Sequence, residues 1–106
     1  MGMDMNKMLK QVQQMQSEMQ RLQEEAASET VEASAGGGMV TVKVSGAMEV
    51  VQVSIKPEAI DPDDPQMLED MVVAAVNEGL RSAERLVQAK IGGLAGGLHN
   101  LGLPGL

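Results

Sequence analysis

AGGGMVTVKVSGAMEVVQVSI, Ala35 to Ile55, is the stretch that decides the fold. Val40, Val42 and Val44 alternate with Met39, Thr41, Lys43 and Ser45. After Gly46, Val51, Val53 and Ile55 alternate with Val50, Gln52 and Ser54. A period of two in β-branched residues predicts two half-buried strands. The run Gly36 to Gly38 and the pair Ser45-Gly46 read as turns, because glycine reaches positive φ without a Cβ clash. The product is an antiparallel ribbon with one apolar face. Immediately upstream, Ser28 to Ser34 (SETVEAS) is short and polar, and pairs through the glycine run as a third strand. A three-stranded meander of this size is marginal alone and needs a cover for its apolar face.

The flanking segments supply helices. From Asp4 to Ala27, Met5, Met8, Val12, Met15, Met19, Leu22 and Ala26 follow one another at alternating spacings of three and four. That is a narrow heptad seam, open to two readings: packing on the chain's own sheet, or a seam shared with a second helix. The helix is longer than the ribbon, so its first turns are expected to project. Downstream, KPEAIDPDDP (Lys56 to Pro65) breaks regular structure, with Asp64 as N-cap and Pro65 in the first turn of the next helix. That helix, Pro65 to Ile91, carries a wider stripe through Leu68, Met71, Val72, Ala75, Val76, Gly79, Leu80, Ala83, Leu86 and Val87. A wide stripe suits packing across a sheet, and Ala75, Gly79 and Ala83 permit close backbone approach. The fold class expected is α+β in the order α-β-β-β-α. It forms one domain over residues 1–91 (helix 4–27, strands 29–55, helix 65–91), followed by a flexible Gly/Leu-rich tail over 92–106.

The 106 residues include no Phe, Tyr or Trp, so the core must come from Val, Leu, Ile, Ala and ten Met. Aromatic side chains normally supply much of a buried interior, and small chains bury a low fraction of their surface. A dimer is expected on this ground alone. Without Cys there is no disulfide and no thiolate metal site. No signal peptide or spanning segment is visible, which makes a soluble cytoplasmic protein the expectation.

Catalytic chemistry is sparse. The one His, His99, falls in the tail with no ligand pattern near it. The glycine run lacks the GK[ST] of a phosphate loop and leads into a strand. Glu58, Asp61, Asp63 and Asp64 lack the spacing of a calcium-binding EF-hand. No enzyme activity, metal or cofactor is expected, and the lack of aromatics disfavours single-strand binding by base stacking.

What remains is charge. The formal net charge is −7, which taken alone argues against nucleic acid. Its distribution is uneven. Glu58 to Asp70 holds six acids and no base. Lys7, Lys10 and Arg21 on the first helix, and Arg81, Arg85 and Lys90 on the last, form small cationic patches. A two-fold dimer would double these patches, and doubled patches can grip phosphates without reading bases. The plainer reading is a set of solvated faces holding pairs such as Glu78 with Arg81 or Glu84 with Arg81, and charge alone favours it.

Four stretches together add a resemblance. MNKMLKQVQQMQSEMQRLQEE, VEASAGGGMVTVKVSGAMEVVQVSI, KPEAIDPDDPQMLEDMVVAAVNEGL and the closing GGL…LPGL resemble, in order and spacing, the YbaB/EbfC family of bacterial nucleoid-associated proteins. The resemblance implies a tweezer-like homodimer of α-β-α protomers that binds double-stranded DNA without enzymatic chemistry, in the nucleoid. It also implies that Lys7, Lys10, Arg21, Arg81, Arg85 and Lys90 contact DNA. The alternative is a protein-interaction module that uses the Met seam and the Leu-rich tail, with no DNA contact. No membrane partner is expected.

Overall fold

The structure, a computed structural model, describes residues 4–100. Helix α1 spans Met5–Ser28, strands β1, β2 and β3 span Thr30–Ala35, Val40–Ser45 and Val50–Ile55, and helix α2 spans Pro65–Asn100. A 3-10 turn, Pro57–Ala59, precedes α2. The sheet order is β1-β2-β3, antiparallel throughout. The α-β-β-β-α order expected from the sequence is thus the order observed.

Local chemistry sets the boundaries. Asp4 caps α1, its Oδ1 accepting from Asn6 N at 3.0 Å. Asp64 Oδ1 accepts from Met67 N at 3.3 Å at the start of α2, with Pro65 as that helix's first residue. Both bonds satisfy amide donors that a helix start leaves unpaired. Between β1 and β2, Gly36, Gly37 and Gly38 all take positive φ, at 64°, 66° and 91°. Gly46 departs from its expected role, because the positive φ of the β2–β3 turn belongs to Met48, at 62°. Gly46 instead lies against the backbone of Ala26, where a Cβ would collide with the Ala26 carbonyl, and its N–H donates to Glu29 O at 3.1 Å. The glycine is what allows the end of α1 to dock on the turn.

The core lies between the middle strand and α2. Val40, Val42 and Val44 are fully buried, together with Ala75 and Ala83. Val31, Ala33 and Ala35 from β1, and Leu68, Met71, Val72, Val76 and Leu80 from α2, pack around them. Gly79 faces the valines so closely that a Cβ would sit 2.7 Å from Val44 Cγ2 and 2.9 Å from Val42 Cγ2. Small residues on α2 therefore set the helix-to-sheet distance.

That cover is incomplete. α2 lies over β1 and β2, and every residue of β3 is exposed. In the register Val40↔Ile55 and Val42↔Val53, the β3 residues share a face with the core valines. Val53 and Ile55 remain 44% and 38% exposed. A shift between Lys43 and Val44 bulges the pairing, leaving Val51 as an extra residue. β3 is also a sheet edge, so its outer backbone groups have no strand partner.

α2 continues nine residues past the expected boundary at Ile91, through Gly92 and Gly93 to Asn100. Four glycines, Gly92, Gly93, Gly96 and Gly97, cost about 1 kcal/mol each relative to alanine, yet the sequence keeps apolar residues at Val87, Ile91, Leu94 and Leu98, spaced four, three and four. Residues 101–106 of the expected tail lie outside the described residues.

The molecule is a rod, 77 × 21 × 15 Å. β1 returns beneath α2, with Gly36 against Met71 and Glu29 paired to Lys90. α1 enters from beyond that pairing, antiparallel to the last turns of α2. Its seam is graded: Ala26 is buried, Leu22, Met19 and Met15 are half-buried, and all residues from Met5 to Gln14 are exposed. The opening turns of α1 project from the body.

Candidate nucleic-acid interface

Helical spacing divides α1 into two faces. Opposite the Met seam, Lys7, Lys10, Gln14, Ser17 and Arg21 recur at three, four, three and four residues, so they align along the outer surface over about 21 Å at 1.5 Å per residue. Lys10, Gln13, Gln14, Ser17, Glu18 and Arg21 lie side by side on this open helix face. Gln14 and Ser17 add hydrogen-bonding groups between the cations. They were missed as site residues from sequence, although their spacing relative to the lysines was readable.

The six expected cations divide by what holds them. Among the described residues, Lys7 and Lys10 make no ion pair. Arg21 is clamped between Glu18 and Glu25 on its own helix, with Nε donating to Glu18 Oε2 at 3.1 Å. These hydrogen bonds hold the Glu18 carboxyl below its ordinary range and push the Arg21 guanidinium up. Lys90 is structural in its contacts: Nζ lies 2.9 Å from Glu29 Oε1 and 3.8 Å from Glu25 Oε2, fastening α2 to the end of α1.

Arg81 and Arg85 share one carboxylate. Arg81 Nη2 donates to Glu78 Oε2 at 3.1 Å, and Arg85 Nη2 donates to Glu78 Oε1 and Ser82 Oγ at 3.1 and 3.0 Å. The hydrogen bonds from Arg85 and then Arg81 hold the Glu78 carboxyl below the usual glutamate value. Two guanidinium groups against one carboxylate leave a surplus positive charge on the solvent face of α2. Of the two expected pairs, Glu78–Arg81 is present and Glu84–Arg81 is not formed among the described residues, because Arg81 turns back to the carboxylate that Arg85 also reaches, a third member the sequence reading missed.

The cations therefore fall into a free pair at the tip of α1, a half-neutralised pair midway along α2, and two residues engaged in helix-stabilising pairs. The structure does not gather them into one patch within a single chain. Phosphate binding suits such an arrangement, since guanidinium and ammonium groups need no fixed base geometry to hold a polyanion. Among the described residues, no group of three or more His, Cys, Asp or Glu is placed to hold a metal ion. No described helix is long and apolar enough to cross a membrane.

Comparison with known proteins agrees with this topology. The family described as YbaB/EbfC DNA-binding matches residues 1–98. A nucleoid-associated protein of Pelotomaculum thermopropionicum is 53% identical over 106 residues, covering 100% of this chain and 98% of the relative. Another from Acetivibrio thermocellus is 51% identical over 105 residues, covering 99% and 91%. The crystal structure of an uncharacterised Helicobacter pylori protein shares the fold, with a TM-score of 0.69 at 24% identity, over 92% of this chain and 98% of that one.

Proposed function

The chain belongs to the YbaB/EbfC DNA-binding family, a non-enzymatic kind of nucleoid-associated protein, and on that footing we propose that it acts as a homodimer that holds duplex DNA by its phosphates, with little regard to sequence, in the bacterial nucleoid. Its relatives are named nucleoid-associated proteins, which supports the same role and a cytoplasmic location here. The observation that carries the DNA reading is the projecting outer face of α1, where Lys7 and Lys10 stand exposed with no carboxylate partner among the described residues.

The uncovered β3 supports self-association. Val53 and Ile55 continue the apolar face of the core valines past the edge of α2, and a second copy meeting this edge around a two-fold axis would cover them. The same axis would present two α1 tips and two Arg81–Arg85 pairs to one duplex. Four half-free arginines and four lysines then act together, which offsets a net charge that is otherwise unfavourable for DNA.

Duplex binding measured across a salt series, on two unrelated sequences of equal length, tests the proposal. Lys7→Ala/Lys10→Ala should weaken binding alike on both sequences. It should flatten the log K against log salt slope by about 0.9 for each lost phosphate contact. Unchanged affinity and slope would remove the α1 tip from the interface.

A further inference from the structure

We infer that the apolar stripe on the projecting part of α1 is a docking surface for the chain's own last six residues, through Leu101, Leu103 and Leu106. Met5, Met8, Leu9 and Val12 are 75%, 43%, 57% and 49% exposed, on a helix segment where every residue from Met5 to Gln14 is exposed. Met5, Met8 and Val12 continue the seam whose later members are covered, Met15, Met19 and Leu22 half-buried and Ala26 buried. The packing surface is thus already in use at one end and bare at the other.

The occupant follows from where α2 ends. Lys90 is paired with Glu25 and Glu29, which fixes the level of the two antiparallel helices. Asn100 lies ten residues further on, about 15 Å along α2 at 1.5 Å per residue. That brings it level with the middle of α1, near Met15 to Met19. Six further residues extended at about 3.3 Å each reach about 20 Å. This is enough to pass Val12 and Met8 and arrive at Met5. Leu101, Leu103 and Leu106 present apolar side chains among small neighbours, Gly102, Pro104 and Gly105, and the segment carries no charged side chain to oppose burial against methionine. Methionine suits the role, because an unbranched thioether adapts to an irregular partner. The face so covered lies opposite Lys7 and Lys10, so docking leaves the proposed phosphate face open.

The full-length protein treated with dilute hydrogen peroxide provides the test, since methionine oxidation follows exposure. Peptide mapping should find sulfoxide at Met5 and Met8 forming several-fold faster in Leu101→Ser/Leu103→Ser/Leu106→Ser than in the wild type. Met67 on α2, itself exposed, should oxidise equally in both. Equal rates at Met5 and Met8 would overturn the inference. The chain has no Cys, so Met8→Cys/Leu103→Cys under diamide separates same-chain from partner docking. A predominantly intrachain disulfide supports it, formed faster than in Val73→Cys/Leu103→Cys. Predominantly interchain linkage, or no advantage over that control, overturns it. Neither readout involves DNA, so its failure would leave the phosphate-binding proposal standing.

Discussion

Glu78 is predicted to restrain the DNA affinity of the protein, and replacing it should make the protein bind more tightly. Its two carboxylate oxygens hold Arg81 and Arg85 at 3.1 Å, so a phosphate must displace that carboxylate before it can take either guanidinium. Glu78→Gln keeps the side-chain shape and a hydrogen-bonding oxygen but removes the competing charge. If both arginines in a protomer then engage phosphates, the salt slope steepens by about 0.9 per new contact, or about 1.8 for the pair. Across a fourfold fall in salt, each contact is worth about 3.5-fold in affinity, so the pair gives about 12-fold. The assay is a fluorescence-anisotropy titration of labelled duplex at 50 to 200 mM salt, with Arg81→Ala/Arg85→Ala alongside. Tighter binding and a steeper slope for Glu78→Gln, with weaker binding for the double-alanine variant, are expected. If Glu78→Gln matches wild type at every salt concentration and the arginine variant does too, the α2 pair makes no DNA contact and the reasoning fails.

Alanine should have opposite effects at two glycines of α2. At Gly79 the clash with Val42 and Val44 outweighs the helical gain, for a net loss of about 1 kcal/mol, while at Gly92, with open space around it, the gain of about 1 kcal/mol stands alone; urea midpoints report both. Val53→Asp puts a charge on the uncovered β3 face and should shift sedimentation to the monomer while circular dichroism stays helical. A dimer unaffected by this change would place the interface elsewhere. The Glu18 and Glu78 carboxyls sit below their ordinary value of 4.5. Their ion pairs therefore contribute fully above that value and are lost as pH falls through the lowered ones. Stability differences between wild type and Glu18→Gln/Glu78→Gln should be constant from pH 6 to 8, begin to shrink as pH falls past the ordinary value of 4.5, and vanish only below the lowered ones, as followed by thermal melts.

Strand and helix order were legible because their signals are local. The alternating valines, the cap at Asp64 and the small residues Ala75, Gly79 and Ala83 each carry their reason within a few neighbours. Gly46 was misread because its role depends on Ala26, twenty residues away in sequence, and chain order does not show that approach. Gly92 and Gly93 marked a helix end by propensity, yet the spacing of Ile91, Leu94 and Leu98 continued the helical pattern through them. For the site, Arg85 joins Glu78 two turns away, which only long side chains can span, so the usual three- and four-residue pairing rule found Arg81 and passed over its neighbour. The bareness of β3 was hidden for another reason. Alternation declares that a face is apolar but does not say how far one helix extends across it.

The rod has its ends oppositely endowed. The six acids of Glu58 to Asp70 cluster around the start of α2, and Lys7 and Lys10 mark the far tip of α1, on a molecule 77 Å long. Such a separation gives the chain a large electric dipole along its axis, and the field around a polyanion exerts a torque on it before any contact forms. Each chain should therefore arrive tip-first with its acidic end held away. This alignment would speed capture in dilute salt and fade as the screening length shrinks.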